Sequence, residues 1–187
     1  MLAIVPARAG STGIPSKNFR PLAGGLSCVD RALLCARLAE IPASSIILSS
    51  DTRYPDEPPD PRVAFRYVSR PPALAQDDTP MIEVIRHVLV HVLGVPTQIV
   101  VLLQPTQPLR TPAHVQRAIG LLEETGADSV VSVLQLPLTH SPDLVCQVVC
   151  FPNGEERLRP WPYESVDGEN MRPWSERPAR RQNARPA

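Results

Sequence analysis

The sequence predicts an α/β domain built on a mainly parallel sheet. Three observations carry that expectation. Continuous apolar runs at Leu2–Pro6, Ile46–Ser50 and Ile99–Leu103 have the length and composition of strands buried on both faces. Segments with helical apolar spacing lie between and after them, the alternation that places helices over a parallel sheet. Each apolar run also passes directly into a loop of small or polar residues, and in such sheets the loops at the carboxyl ends of the strands hold ligands.

Taken in order, Leu2–Pro6 is the first buried strand, and the loop Arg8 to Asn18 follows it. Gly24-Gly25 marks a turn. Apolar residues at Ala32, Leu33, Ala36 and Leu38 predict a helix from Asp30 to Ile41, with Cys28 and Cys35 seven apart on one face as small packed hydrophobes. Ile46–Ser50 is the second strand and ends in Ser49-Ser50-Asp51. The stretch DEPPDP, Asp56 to Pro61, excludes regular structure. Val63–Val68 alternates weakly and reads as a strand. Thr79 as N-cap with Pro80 in the first turn predicts a helix to about Leu93. Ile99–Leu103 is another buried strand, followed by the loop Gln104 to Thr111. Thr111-Pro112 repeats the cap-then-proline start for a helix to Glu124, and Ser129–Leu134 reads as a last strand.

The bulk numbers narrow the function classes. At 187 residues one domain is expected, with a core over residues 1–151. The segment 152–187 holds six prolines, seven arginines and both tryptophans without periodicity, and reads as an irregular arm. Zero formal net charge gives no general attraction to nucleic acid or an anionic membrane. No apolar run reaches the length of a bilayer span, and Arg8 follows the first run too soon for a signal peptide, so a cytoplasmic protein is expected. The four cysteines form no C-x-x-C pair. His87 and His91 are four apart on an expected helix, but without an accompanying H-E-x-x-H they read as packed or solvated.

The first loop carries the chemistry. Arg8, Gly10, Ser11, Thr12, Gly13 and Lys17 follow an apolar strand, and of nineteen cationic residues Lys17 is the only lysine. Small residues let backbone N–H groups approach an anion, and the cations neutralise it, so the loop reads as a phosphate cradle. It matches neither G-x-x-x-x-G-K-[ST] nor G-x-G-x-x-G.

Its pattern, R-x-G-S-x-G-I-P-x-K-N, resembles the signature of the cytidylyltransferases that activate acidic sugars, the CMP-N-acetylneuraminate and CMP-Kdo synthetase group. Three further stretches resemble that family in the same order: Ser49-Ser50-Asp51, the segment Arg70 to Pro80 (RPPALAQDDTP), and Leu103 to Thr111 (LQPTQPLRT). Together they cover roughly residues 2 to 135, and four collinear matches are far more specific than one. The resemblance implies a Rossmann-like, three-layer α/β/α nucleotidyltransferase fold of the glycosyltransferase-A kind. It implies transfer of CMP from CTP to an acidic small molecule, a sugar acid or a phosphonate, with Mg2+ and loss of pyrophosphate.

It also implies the site. Arg8 and Lys17 would be the catalytic cations, holding the triphosphate together with the backbone of Ala7, Ala9, Gly10, Ser11, Thr12 and Gly13. Asn18 and Arg70, with backbone near Thr79, would select cytosine and fix the ribose, and Gln104 would face the acceptor. A homodimer is a further implication. Two departures stand out. Thr12 occupies a position that is usually basic in the family, and the chain stops at Ala187 before the family's N-G-A-[IF]-Y strand and its later metal-holding aspartates. That leaves a fragment or a shortened member as alternatives, and leaves Asp51, Asp77 and Asp78 as the available carboxylates with no metal ligand assigned. The second functional reading is a catalytically degenerate homologue that binds nucleotide, or a partner protein, without turnover.

Overall fold

The apolar runs find one another as a single parallel sheet. A computed structural model of the chain describes residues 1–10, 13–93, 99–133, 146–150 and 156–160. Leu2–Ala7 forms β1, Ile46–Ser50 β2, Arg66–Ser69 β3 and Val100–Leu102 β4. All pairings are parallel and the order is β3-β2-β1-β4. The order reverses at β1, with β2 and β3 on one side and β4 on the other. The crevice between β1 and β4 is therefore the topological switch point, where open α/β sheets bind their ligands.

Every residue of β1 is buried because both faces of the strand are covered. Ala3, Val5 and Ala7 face one layer with Ile46 and Leu48. There the helix α1 (Cys28–Leu38) supplies Val29, Leu33 and Ala36, and Pro112–Thr125, here called α3, supplies Val115. Leu2 and Ile4 face the opposite layer with Ile47 and Val68. That side is covered by α2 (Met81–His87) and the π-helical turn Val88–Leu93 that continues it, through Ile85 and Val88. The period-two alternation of strand side chains thus sorts the core into two sheets of contact, one on each face, and gives three layers.

The helix ends follow local chemistry. Thr111 caps α3, its hydroxyl accepting the N–H of His114, and Gly126 closes the helix in the left-handed region at φ 61°. For α1 the start differs from the expected Asp30: the helix begins at Cys28, because Ser27 and Asp30 form a reciprocal capping box. Asp30 also accepts a short hydrogen bond from the hydroxyl of buried Tyr54, whose ring meets Phe65 edge-on with centroids 4.9 Å apart. Burial, followed by that bond, pushes the Tyr54 pKa well up. Cys28 and Cys35 are buried free thiols as expected, and burial raises the Cys35 pKa.

Three further expectations shift. Thr79 is not a cap: Pro80 stays extended at ψ 134° and takes the N-cap position itself, while the Thr79 N–H turns back to the Gln76 carbonyl at 3.4 Å. Leu38 is exposed rather than on the packed face. Residues 129–133 form no strand, and Val131 and Val133 are exposed; a strand needs a ladder partner, and none faces this run among the described residues. Leu134 lies outside the described residues.

The chain divides into two units, Met1–Ser132 and Val133–Ala187. In the second, Cys146–Cys150 (β5) and Glu156–Pro160 (β6) pair antiparallel. Glu156–Pro160 falls inside the segment expected as an irregular arm; residues 161–187, with both tryptophans, lie outside the described residues, as does the side chain of His91.

Leu33 is fully buried between α1 and the sheet. Replacing it by alanine removes apolar contact and leaves a cavity, so Leu33→Ala is expected to lower unfolding free energy by about 2–5 kcal/mol in urea titration.

Candidate functional site

The carboxyl edge of the sheet gathers most of the motif residues. The last rung of the β1–β2 ladder pairs Ala7 with Ser50. Beyond it Arg8 begins the loop, and the Ala9 N–H donates to Oδ1 of Asp51 at 2.8 Å. The loop is tied back at its far end by Asn18, which is buried. Its Nδ2 donates to the Arg8 carbonyl at 3.3 Å, and its own carbonyl accepts the Val29 N–H at 3.0 Å at the start of α1. Asn18 Oδ1 is buried and has no hydrogen-bond partner among the described residues. A buried acceptor left open costs about 1–3 kcal/mol, and a ligand donor would relieve it.

Within the loop, Ser16 occupies the left-handed region at φ 53°, directly before Lys17. A non-glycine residue there stores about 1 kcal/mol or more, held by the turn bonds from Phe19 and Arg20 back to the Ser16 carbonyl. A Cβ added at Gly10 or Gly13 would meet no protein atom within 4 Å. Neither glycine is required by the protein's own packing; close approach of a ligand to the backbone is the remaining physical reason for them. Lys17 is exposed and pairs with no acid among the described residues. Ser11 and Thr12 lie outside the described residues.

Two arginines meet at this edge. Arg70, just past β3, is buried; its backbone N–H donates to the Ser50 carbonyl at 2.7 Å and its Nη2 to the Ser49 carbonyl at 2.8 Å. Desolvation lowers its pKa, Asp51 raises it and Arg8 lowers it. The shift places both groups in electrostatic reach of Arg70. The Arg8 side chain is about a third exposed and pairs with Asp77. Sequence spacing suggested Asp77 or Asp78 as partners for Arg70; the fold gives Asp77 to Arg8 instead, and Arg70 is satisfied by the end of β2. Thr79 is half-buried, with its N–H engaged by Gln76 as described.

Across the switch point, the Leu103 N–H extends the ladder to the Ile4 carbonyl at 2.9 Å and delivers Gln104 to the edge. The Gln104 carbonyl accepts from the Gln107 N–H at 3.3 Å and from Arg110 Nη2 at 3.2 Å, and the same Nη2 donates to Gln107 Oε1 at 2.6 Å. Arg110 is thus the internal strut of this loop, and its burial depresses its pKa. Ala7, Arg8, Ala9, Asn18, Arg70 and Gln104 therefore all stand at the end of β1, β2, β3 or β4. Asp51 was singled out only as a spare carboxylate, and Arg110 only as part of a motif; their contacts are what the sequence spacing did not disclose.

The carboxylates do not make a cation cage. Among the described residues no group of three or more His, Cys, Asp or Glu side chains is placed to hold a metal ion. Asp51 is engaged by Ala9, and Asp77 by Arg8. These residues do not fit a preformed Mg2+ site.

Comparison with known proteins agrees with this geometry. A family model described as cytidylyltransferase matches residues 2–145. Over 149 residues the chain is 34% identical to a CMP-N,N'-diacetyllegionaminic acid synthase of Legionella pneumophila, covering 75% of this chain and 60% of the relative. A solved CMP:2-keto-3-deoxy-manno-octonic acid synthetase complexed with CTP superposes with a TM-score of 0.53 at 18% identity, over 88% of this chain and 66% of that one. The chain thus spans just under two thirds of the length of each, and the structural likeness speaks for the fold. No helix among the described residues is long and apolar enough to cross a membrane.

Arg70 joins β2, β3 and the loop edge through charge-assisted bonds in a desolvated setting. Arg70→Ala is expected to lower unfolding free energy by about 1–3 kcal/mol, since it strips the donor from a buried carbonyl. Arg70→Lys should recover only part of that loss, because an ammonium cannot reproduce the two-point fork. Urea unfolding of the two variants measures both.

Proposed function

Because the chain belongs to the cytidylyltransferase family, we propose that it transfers CMP from CTP to a sugar acid and releases pyrophosphate. The observation that carries this reading is the meeting, at the switch-point edge of the sheet, of the Arg8–Asn18 loop with Arg70 on one side and Gln104 on the other. A substrate oxygen attacks the α-phosphorus of CTP in line, and the bond to the departing pyrophosphate breaks. Such a reaction needs cations and N–H donors aimed at developing negative charge, and no protein nucleophile. Arg8 and Lys17 are assigned to the triphosphate, the open backbone around Gly10 and Gly13 to its oxygens, and the unpartnered Asn18 Oδ1 to a donor of the base or sugar. Asp77 must yield Arg8 when the triphosphate arrives. That exchange is inexpensive, because an exposed ion pair contributes about 0–1 kcal/mol. Mg2+ enters the proposal only as an ion carried on the triphosphate oxygens, the usual manner of its binding beside few protein ligands.

The acceptor class follows the curated relative, whose name gives a CMP-activated sugar acid. The test is pyrophosphate release from CTP with a nonulosonic acid in one arm and a phosphonate in the other. Release with the sugar acid supports the proposal, release with the phosphonate alone moves the acceptor class, and CTP binding without turnover under either acceptor replaces the enzyme with a degenerate homologue. Lys17→Ala is expected to lower kcat/KM by about 100-fold to 1,000-fold, the loss typical of one preorganised charge-stabilising group. Thr12→Lys should leave activity intact or raise it. A Lys17→Ala chain with full activity contradicts the assignment.

A further inference from the structure

We propose that Asp51 is a positioning residue that sets the starting direction of the nucleotide loop through the Ala9 amide, an inference that rests on the CTP reading above. The carboxylate stands one residue beyond β2, and its bond to Ala9, two residues beyond β1, carries the β1–β2 pairing one step past its last backbone rung. The position of Asp51 is itself fixed from the β3 side. Tyr67 points its hydroxyl between the Ser50 and Thr52 carbonyls, 3.1 Å from each, and the Thr52 N–H donates to Ser50 Oγ at 3.1 Å. Arg70 adds its own N–H to the Ser50 carbonyl. The backbone on both sides of Asp51 is therefore clamped, while its side chain reaches across to a residue 42 positions earlier.

The charge argues for a geometric use. A carboxylate beside an anion site opposes the ligand electrostatically, and here Arg70 beneath it offsets that penalty. What the carboxylate supplies in return is a charge-assisted bond to a backbone N–H, stronger than a neutral one, which fixes the peptide plane leading into Gly10. The Ala9 N–H is in consequence an internal strut of the loop and does not face phosphate.

Asp51→Asn keeps the acceptor and removes the charge; Asp51→Ala removes both. Two readouts are needed: hydrogen exchange of the Ala9 amide, and KM and kcat with CTP. Asp51→Ala is expected to lose protection at Ala9 and to raise KM for CTP by about 10-fold to 100-fold, the scale of a misplaced binding group. Asp51→Asn should keep protection and a KM within about threefold of wild type, as retained acceptor geometry requires. Unchanged protection or unchanged KM in Asp51→Ala overturns the inference, including the case where only thermal stability falls. Failure of Asp51→Asn to the same degree as Asp51→Ala also overturns it, since charge or metal ligation would then be the operative property. If Asp51→Ala does not fold, Asp51→Asn alone decides by the same two readouts. A wild-type chain that binds no CTP removes the functional reading together with the inference, whereas wild-type binding matched by Asp51→Ala removes the inference alone.

Discussion

The parallel pairing of β1 with β2, ending on the rung between Ala7 and Ser50, is the constraint on which the rest of this edge depends. That register puts Arg8 and Asp51 at the same height, and only then can the Asp51 carboxylate reach the Ala9 amide. Beside it, the β2–β3 register ends on Ser50 and Ser69, which brings Arg70 under the same loop. Slipping either pairing by one residue would turn every side chain of the strand to the other face and break both core layers at once. The hydrophobic sorting of Ala3, Val5 and Ala7 to one side and Leu2 and Ile4 to the other therefore fixes the site as firmly as it fixes the core.

The electrostatics of the edge are arranged in opposed pairs. Arg8 leans on Asp77 and Arg70 feels Asp51, so the arginines are compensated, while Lys17 has no acidic partner among the described residues. Compensation keeps two like charges together near a buried strand end, where an unpaired guanidinium would be costly. A polyphosphate arriving at this edge finds one pair that opens readily, Arg8 with the exposed Asp77, and one that is locked into the fold through the Ser49 and Ser50 carbonyls. The distinction separates a cation free to move to a ligand from one whose first duty is to hold the strand end.

Much of this was legible in the sequence, and what was not has physical causes. Strands buried on both faces leave unbroken apolar runs, so β1, β2 and β4 could be read directly. The start of α3 was legible because Thr111 and Pro112 act within one turn. The identical pair at Thr79-Pro80 failed, since the turn closing on Gln76 claims Thr79 first. Residues 129–133 show that an apolar alternation reports a willingness to pair and says nothing about a partner. The motifs placed Arg8, Asn18, Arg70 and Gln104 at the strand ends, yet spacing could not assign Asp77 to Arg8 or Asp51 to Ala9. Contacts between segments dozens of residues apart are set by register and twist, which periodicity does not encode.

The central claim is that this edge is a cytidine triphosphate site, and calorimetric titration of the full chain with CTP and, separately, UTP tests it most directly. The account predicts saturable heat with CTP and at least about tenfold weaker binding of UTP, because a base recognised by hydrogen bonds is discriminated by the groups left unpaired when it is exchanged. Absence of binding to CTP, or equal affinity for the two nucleotides, would contradict it.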